Sequence, residues 1–164
     1  MTEPTVADPS ARERLEIIRR TRTVAILGMS TDPSRASYFV ATYLLSSSCS
    51  FEEAWFVNPK GGEVFGRRVH PSLEDLPGTP DLVDVFRRSE DLPAVAKEVV
   101  ALGGVDTLWF QLGLRNDEAA AIATAAGVTV VQNRCLKIEH ARFHGGLHLA
   151  GFDTGVVSSR RGEI

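Results

Sequence analysis

The chain has 164 residues, 43% of them hydrophobic and 24% charged, with a formal net charge of −3. That length buries a core without a disulfide or metal staple and leaves no room for two full-sized domains. The balance of apolar and charged residues argues against bulk disorder, and the absence of a basic excess argues against nucleic acid as a partner. Only two cysteines occur, Cys49 and Cys135, far apart and without redox or metal spacing, so free thiols of a reducing compartment are expected. No run approaches the ~18 apolar residues of a membrane span, so no membrane association is expected. Residues 1–9 are polar with two prolines, lack an apolar signal core and are expected to be flexible. The expectation is one cytoplasmic domain, a monomer or a homodimer.

In chain order, Ser10 with Glu13 has the capping-box pattern and opens a first helix carrying Leu15 and Ile18. Short apolar runs then recur at 23–27, 54–57, 82–86, 107–110 and 128–131. They are near-continuous rather than alternating, as strands covered on both faces should be. Between them, apolar residues fall three and four apart: Val40, Tyr43 and Leu44, then Leu92, Val95, Ala96 and Val99, then Ala119, Ile122, Ala123 and Ala126. These are helix faces. Ser89 and Asn116 read as N-caps followed by acids, and Gly103 and Gly127 fall where helices end. The segment from Lys60 to Pro80, rich in Gly, Pro and charge, predicts a loop with one short helix. Strand and helix alternating at short spacing predict a Rossmann-like α/β fold, an open, doubly wound parallel sheet of about five strands. That domain is expected over residues 10–142, followed by a Gly-rich tail over 143–164.

In such a sheet, ligands bind beyond the carboxyl ends of the strands. That rule selects Gly28-Met29-Ser30, Asn58-Pro59-Lys60, Arg87-Arg88, Gln111-Leu112-Gly113 and Asn133-Arg134-Cys135. Lys60, Arg87, Arg88, Arg115 and Arg134, with Arg35 nearby, make this edge cationic although the chain is acidic, which suits an anion. The helices near Ser89 and Asn116 open with acids that repel phosphate. The approach to the helix after the first strand, from Gly28 to Ser37, has hydroxyls, Arg35 and a single acid, Asp32. Phosphate is therefore expected there. A dinucleotide fingerprint needs two further glycines and an acid after the second strand, where this chain has Ser30 and Asn58-Pro59. Conventional NAD binding is disfavoured, whereas the arginines can accommodate the extra phosphate of NADP or of coenzyme A.

Other reactive groups have bland alternatives beside the chemical ones. Cys135, between Arg134 and Lys137, is either an inert half-buried thiol or a low-pKa thiolate able to exchange with a ligand thiol. His140, His144 and His148 have helical spacing, but Gly145 and Gly146 interrupt it, and a solvated or capping role for His140 is preferred to metal or base chemistry. Asp84 lies inside an apolar run and needs either hydrogen-bond partners or an acid–base role. Trp55 and Trp109 read as core, and Arg67-Arg68 and Arg160-Arg161 as solvated pairs.

The blocks at these strand ends carry a resemblance. They are Val24 to Ser30, Pro33 to Tyr38, Val57 to Lys60, Asp84 to Ser89, Gln111 to Asn116 and Asn133 to His140. In that order the chain resembles the stand-alone coenzyme A-binding domain proteins. These are similar in fold to the Rossmann domain of the nucleoside-diphosphate-forming acyl-CoA ligases, succinyl-CoA ligase among them. The resemblance implies a coenzyme A diphosphate on the loop of Gly28, Met29, Ser30, Thr31, Arg35 and Ser37. It implies Asn58, Pro59 and Lys60 at the adenosine end, and Val85, Phe86, Arg87 and Arg88 as a wall under the adenine or pantetheine. Gln111, Gly113 and Asn133 would line the far side. The ligases need a further domain with a phosphorylated histidine and an ATP-grasp partner, which this chain has no room for, so ligase activity does not carry over. Three readings follow: a non-catalytic module for coenzyme A or a short acyl-CoA, an NADP-dependent oxidoreductase, or an interaction subunit with a vestigial nucleotide pocket. An unidentified protein partner fits the first and the third.

Overall fold

The structure, a computed structural model, describes residues 6–46 and 49–144. Of the tail expected over 143–164, Phe143 and His144 fall in the last helix, and the rest, with His148 and the pair Arg160-Arg161, lies outside the described residues. Ser10 caps α1 (Ala11–Arg20) as its sequence predicts: its Oγ accepts from the Glu13 N–H at 3.1 Å, and Glu13 Oε1 accepts from the Ser10 N–H at 2.6 Å. All five apolar runs form strands: β1 (Thr23–Leu27), β2 (Glu53–Val57), β5 (Leu82–Val85), β6 (Thr107–Phe110) and β7 (Thr129–Val131).

Two strands were not expected. β3 (Glu63–Val64) and β4 (Arg67–His70) occupy the segment predicted as loop, so the sheet has seven strands rather than about five. A two-residue turn joins them, with Phe65 at φ 55° and Gly66 at φ 70°, the twist that suits a tight hairpin. Their residues alternate weakly and carry two arginines, because β3 lies at the sheet edge and needs little apolar cover. β4 pairs parallel to β2, Phe56 opposite Val69 and Val57 opposite His70. The expected short helix is present as a 3-10 turn, Leu73–Asp75.

The order is β3-β4-β2-β1-β5-β6-β7, parallel except for the β3–β4 pair. The chain winds outward from β1 in one direction through β2 to β4, then returns to β5 on the other side of β1 and proceeds to β7. The switch point therefore lies between β1 and β5. Alternation sorts the two faces. Val24 and Ile26 join a core cluster with Ile17 and Ile18 of α1, Val40 and Leu44 of α2 (Ala36–Leu44), and Leu136 of α5 (Leu136–His144). Ala25 and Leu27 join the opposite cluster with Val95 and Val99 of α3 (Leu92–Leu102) and Ala119 and Ala123 of α4 (Asp117–Ala125). Each large buried aliphatic contributes about 1.5–3 kcal/mol relative to exposure, which is why both faces of β1 read as one apolar run.

Local signals differ from expectation at α3. Ser89 is not its cap but starts a 3-10 turn, Ser89–Asp91, and α3 follows with Pro93 in its first turn. At α4 the expected cap holds, with the Ala119 N–H donating to Asn116 Oδ1 at 2.9 Å. Residues 6–9 are held rather than free: Val6 packs against the α3–α4 core, Asp8 meets Arg115 at 2.6 Å, and the Pro9 carbonyl accepts from Arg14. Among the described residues, no helix is long and apolar enough to cross a membrane.

Candidate functional site

The carboxyl ends of β1, β2, β5, β6 and β7 converge on one edge, and hydrogen bonds knit their loops into a single surface. Gly28 and Met29 both donate to the Val57 carbonyl, at 2.8 and 3.0 Å, and Phe86 donates to the Leu27 carbonyl at 2.8 Å. Gly28 has φ +95°, and a β-carbon there would lie 2.2 Å from the Phe86 carbonyl oxygen. The first loop thus passes directly over the end of β5, across the switch point.

The predicted site residues divide into those that build this surface and those that face outward from it. Asn58 is engaged at both ends of its amide: its Nδ2 donates to the Met29 carbonyl and its Oδ1 accepts from the Lys60 N–H, both at 2.9 Å. Asn133, at φ 59°, accepts from the Gly113 N–H at 2.7 Å, joining the loops after β6 and β7. Buried Gln111 accepts from the Leu136 N–H at 3.0 Å and so caps α5. Met29 and Val85 turn inward, 1% and 0% exposed in opposite core clusters, so their side chains cannot line a ligand. The alternation that makes β5 a buried strand sends Val85 inward, while Phe86 and Arg87 beyond it are only half-buried.

The loop from Gly28 to Ser37 is folded on itself. Ser37 Oγ accepts from the Ser30 N–H at 2.9 Å, Ser30 Oγ accepts from the Asp32 N–H at 3.0 Å, and Asp32 accepts from both the Ser34 N–H and its hydroxyl. The two bonds from Ser34 hold the Asp32 carboxyl below its usual range, so the loop carries one negative charge, facing its own turn. Because the Ser30 and Ser37 oxygens act as acceptors, their hydroxyl protons remain to be donated elsewhere. α2 then begins at Arg35 with no side-chain cap and no acid in its first turn. This differs from α4, which is capped by Asn116 and opens with Asp117 and Glu118.

The cations are also unequal. Arg88 lies 3.6 Å from Glu90 and 3.5 Å from Asp91, and Arg115 is paired with Asp8 and Asp117. Arg35, Lys60, Arg87 and Arg134 have no ion pair among the described residues. Arg87 stands at the switch point, its Cδ 3.3 Å from the position of a β-carbon on Gly28.

Sequence reasoning did not anticipate the hairpin as a wall of this edge. Phe65 at its tip stacks on Tyr38 of α2 with ring centroids 4.6 Å apart, and Thr31 reaches to 3.9 Å of a β-carbon placed on Gly62. His70, which ends β4, was also missed. The signal that would have found the hairpin is Phe65-Gly66 between Val64 and Arg67, short enough to read as loop.

Several remaining groups lie elsewhere. Asp84 is fully buried between Ile26 and Trp109, and neither carboxyl oxygen has a partner among the described residues, so it is not bonded to the described neighbouring loops. Burial pushes its pKa well above the usual carboxylate range. Trp109 is core, its Nε1 donating to the Arg134 carbonyl at 2.8 Å, but Trp55 is only half-buried and lies against Gly78. His140 is buried, with Nδ1 2.7 Å from the Tyr43 hydroxyl and Nε2 accepting from the Ser50 N–H at 3.2 Å, tying α5 to α2. Cys135 is half-buried and packs against the same core as α5, and burial raises the Cys49 thiol.

A family model described as CoA binding domain matches residues 22–141, nearly the whole described chain. The chain belongs to the CoA-binding domain family. It is 37% identical over 134 residues to the YneT protein of Bacillus subtilis (strain 168), a match covering 82% of this chain and 96% of that one. A solved structure of a hypothetical protein from Pyrococcus horikoshii OT3 is similar with a TM-score of 0.77 and 33% identity, over 88% of this chain and 100% of that one. The dinucleotide-forming acetyl-coenzyme A synthetase 1 of Ca. Korarchaeum cryptofilum shares the fold, with a TM-score of 0.57 and 21% identity. That match covers 66% of this chain but only 25% of the synthetase. The fold relation to acyl-CoA ligases is therefore a relation of this one domain.

Proposed function

We propose that the protein binds coenzyme A or a short acyl-CoA at the carboxyl edge of its sheet, without chemistry of its own, as a carrier or presenter of the thioester. The diphosphate would lie on the loop from Gly28 to Ser37 and the N-terminus of α2. Ser30 and Thr31 would donate hydroxyls there, and Arg35 and Arg87 would balance the charge. The observation that carries this placement is the contrast between helix starts. α2 opens with neither cap nor acid beside an unpaired arginine, whereas α4 is capped and acidic. An anion at α2 gains from free N–H groups, the helix dipole and the arginine together.

The adenosine would follow the half of the sheet formed by β1, β2 and β4, and the pantetheine arm would run over the ends of β5, β6 and β7. Gln111 and Asn133 hold the loops there, and Cys135 stands at the far end. The NADP reading lacks a specific support, since Asn58 follows β2 in place of an acid and its side chain already holds Met29 and Lys60.

The test is calorimetric titration of the protein, under reducing conditions, with coenzyme A, dephospho-CoA, NADP and NAD. Selective binding of coenzyme A supports the reading. Preference for NADP replaces it with the oxidoreductase reading, and binding of none of the four overturns it.

A further inference from the structure

His70 occupies a place at this edge that no predicted site residue fills. It ends β4, directly beside β2, with its carbonyl accepting from the Asn58 N–H at 2.9 Å. Its neighbour Val69 packs in the cluster with Val40 and Phe56, on the α2 side of the sheet. Strand alternation therefore turns His70 to the other side, where its partner Val57 joins the cluster containing Leu73.

The two ring nitrogens have different surroundings. Nδ1 is buried without a hydrogen-bond partner among the described residues. Nε2 has no hydrogen-bond partner among the described residues, and the residue as a whole is half-buried rather than enclosed. A proton on Nδ1 would be an unsatisfied buried donor, which is costly. With its proton on Nε2 the ring would offer a ligand an N–H donor from its half-buried end. Lys60, two residues past Asn58, brings a cation to the same loop but no planar donor.

In folds of this winding, the nucleoside lies over the half of the sheet built from the first strand outward, here β1, β2 and β4. We propose that His70 is a specificity residue for the ligand's purine base, its Nε2–H donating to a ring nitrogen acceptor of the heterocycle. This proposal rests on the coenzyme A reading above. It concerns the base alone, the charge of the ribose 3′-phosphate being left to Lys60.

The experiment compares the wild-type chain with His70→Phe, which keeps an aromatic ring but removes the donor, and with His70→Gln, whose amide nitrogen restores a donor near the Nε2 position. Each is titrated with coenzyme A, dephospho-CoA and 4′-phosphopantetheine, and its thermal unfolding is recorded. His70→Phe should weaken coenzyme A and dephospho-CoA equally, about tenfold, and leave 4′-phosphopantetheine unchanged, with His70→Gln recovering part of the loss. Equal loss for all three ligands marks a structural role and overturns the proposal. Loss with coenzyme A alone assigns the donor to the 3′-phosphate and overturns it too, as does no loss. A wild-type chain that binds none of the three overturns the coenzyme A reading itself, and this proposal with it.

Discussion

The α-carbon of Gly28 faces the carbonyl oxygen of Phe86 so closely that a β-carbon would lie 2.2 Å from it. This contact brings the first loop against the end of β5 at the point where the sheet changes direction. Main chain at that position cannot move away, because Gly28 and Met29 both donate to Val57 and Phe86 donates to Leu27. Gly28→Ala is expected to cost at least about 1–3 kcal/mol for its backbone angle, with the steric clash added. The urea midpoint should fall, and affinity for coenzyme A should drop with it. An unchanged midpoint would mean that the loop relaxes freely.

Arg35 stands before α2 with no ion pair among the described residues. Its reversal, Arg35→Glu, places like charge at the proposed phosphate position. Affinity for coenzyme A should fall about tenfold to hundredfold, more at low salt than at high salt, while the exposed position leaves thermal stability nearly unchanged. Calorimetry at two ionic strengths measures both effects. Unaltered affinity would remove the diphosphate from this loop.

The pair Arg14–Glu139 clamps α1 to α5 at 2.7 Å with side chains 8% and 3% exposed. Removing one partner leaves a buried charge, so Glu139→Ala should destabilise by about 3–5 kcal/mol. Replacing both, as Arg14→Met with Glu139→Leu, should return stability to near the wild-type value, because an apolar pair of similar volume escapes the desolvation cost. Chemical denaturation of the single and double variants tests this. A double variant as unstable as the single one would show that the clamp does more than satisfy its own charges.

Among the described residues Asp84 has no partner for either oxygen, and burial raises its pKa well above the ordinary carboxylate range. The folded chain holds it protonated at a pH where the unfolded chain has released the proton. Its contribution to stability is complete below the ordinary carboxylate range and declines as pH rises toward the folded pKa, by about 1.4 kcal/mol per pH unit. Asp84→Asn, which cannot ionise, should lack this component. Urea midpoints followed upward from about pH 4 should therefore fall more steeply for the wild type than for the variant. Parallel curves would mean that Asp84 finds a partner on folding in solution.

Much of the architecture can be read from local pattern. Strands covered on both faces must be apolar almost throughout, so Thr23–Leu27, Leu82–Val85 and Thr107–Phe110 announce themselves, and Ser10 and Asn116 mark helix starts because their oxygens have a nearby N–H to accept from. The cationic edge was also legible, since it needs only strand ends and the residues that follow them. The hairpin was not. β3 and β4 owe their existence to pairing with each other and with β2, and that gain does not show in residues such as Glu63, Arg67 and Arg68.

The sequence by itself determined the α/β class, the main strands and the chemistry gathered at their ends, because burial on two faces and helix capping are short-range demands on residue type. Only the tertiary structure decided which polar groups are spent and which are free. Asn58, Gln111 and Asn133 hold neighbouring loops together through their side-chain amides, whereas Arg35 has no ion pair and His70 Nδ1 no hydrogen bond among the described residues. A hydrogen bond between loops distant in sequence depends on how the sheet is ordered, and that order is set by pairings among all seven strands at once.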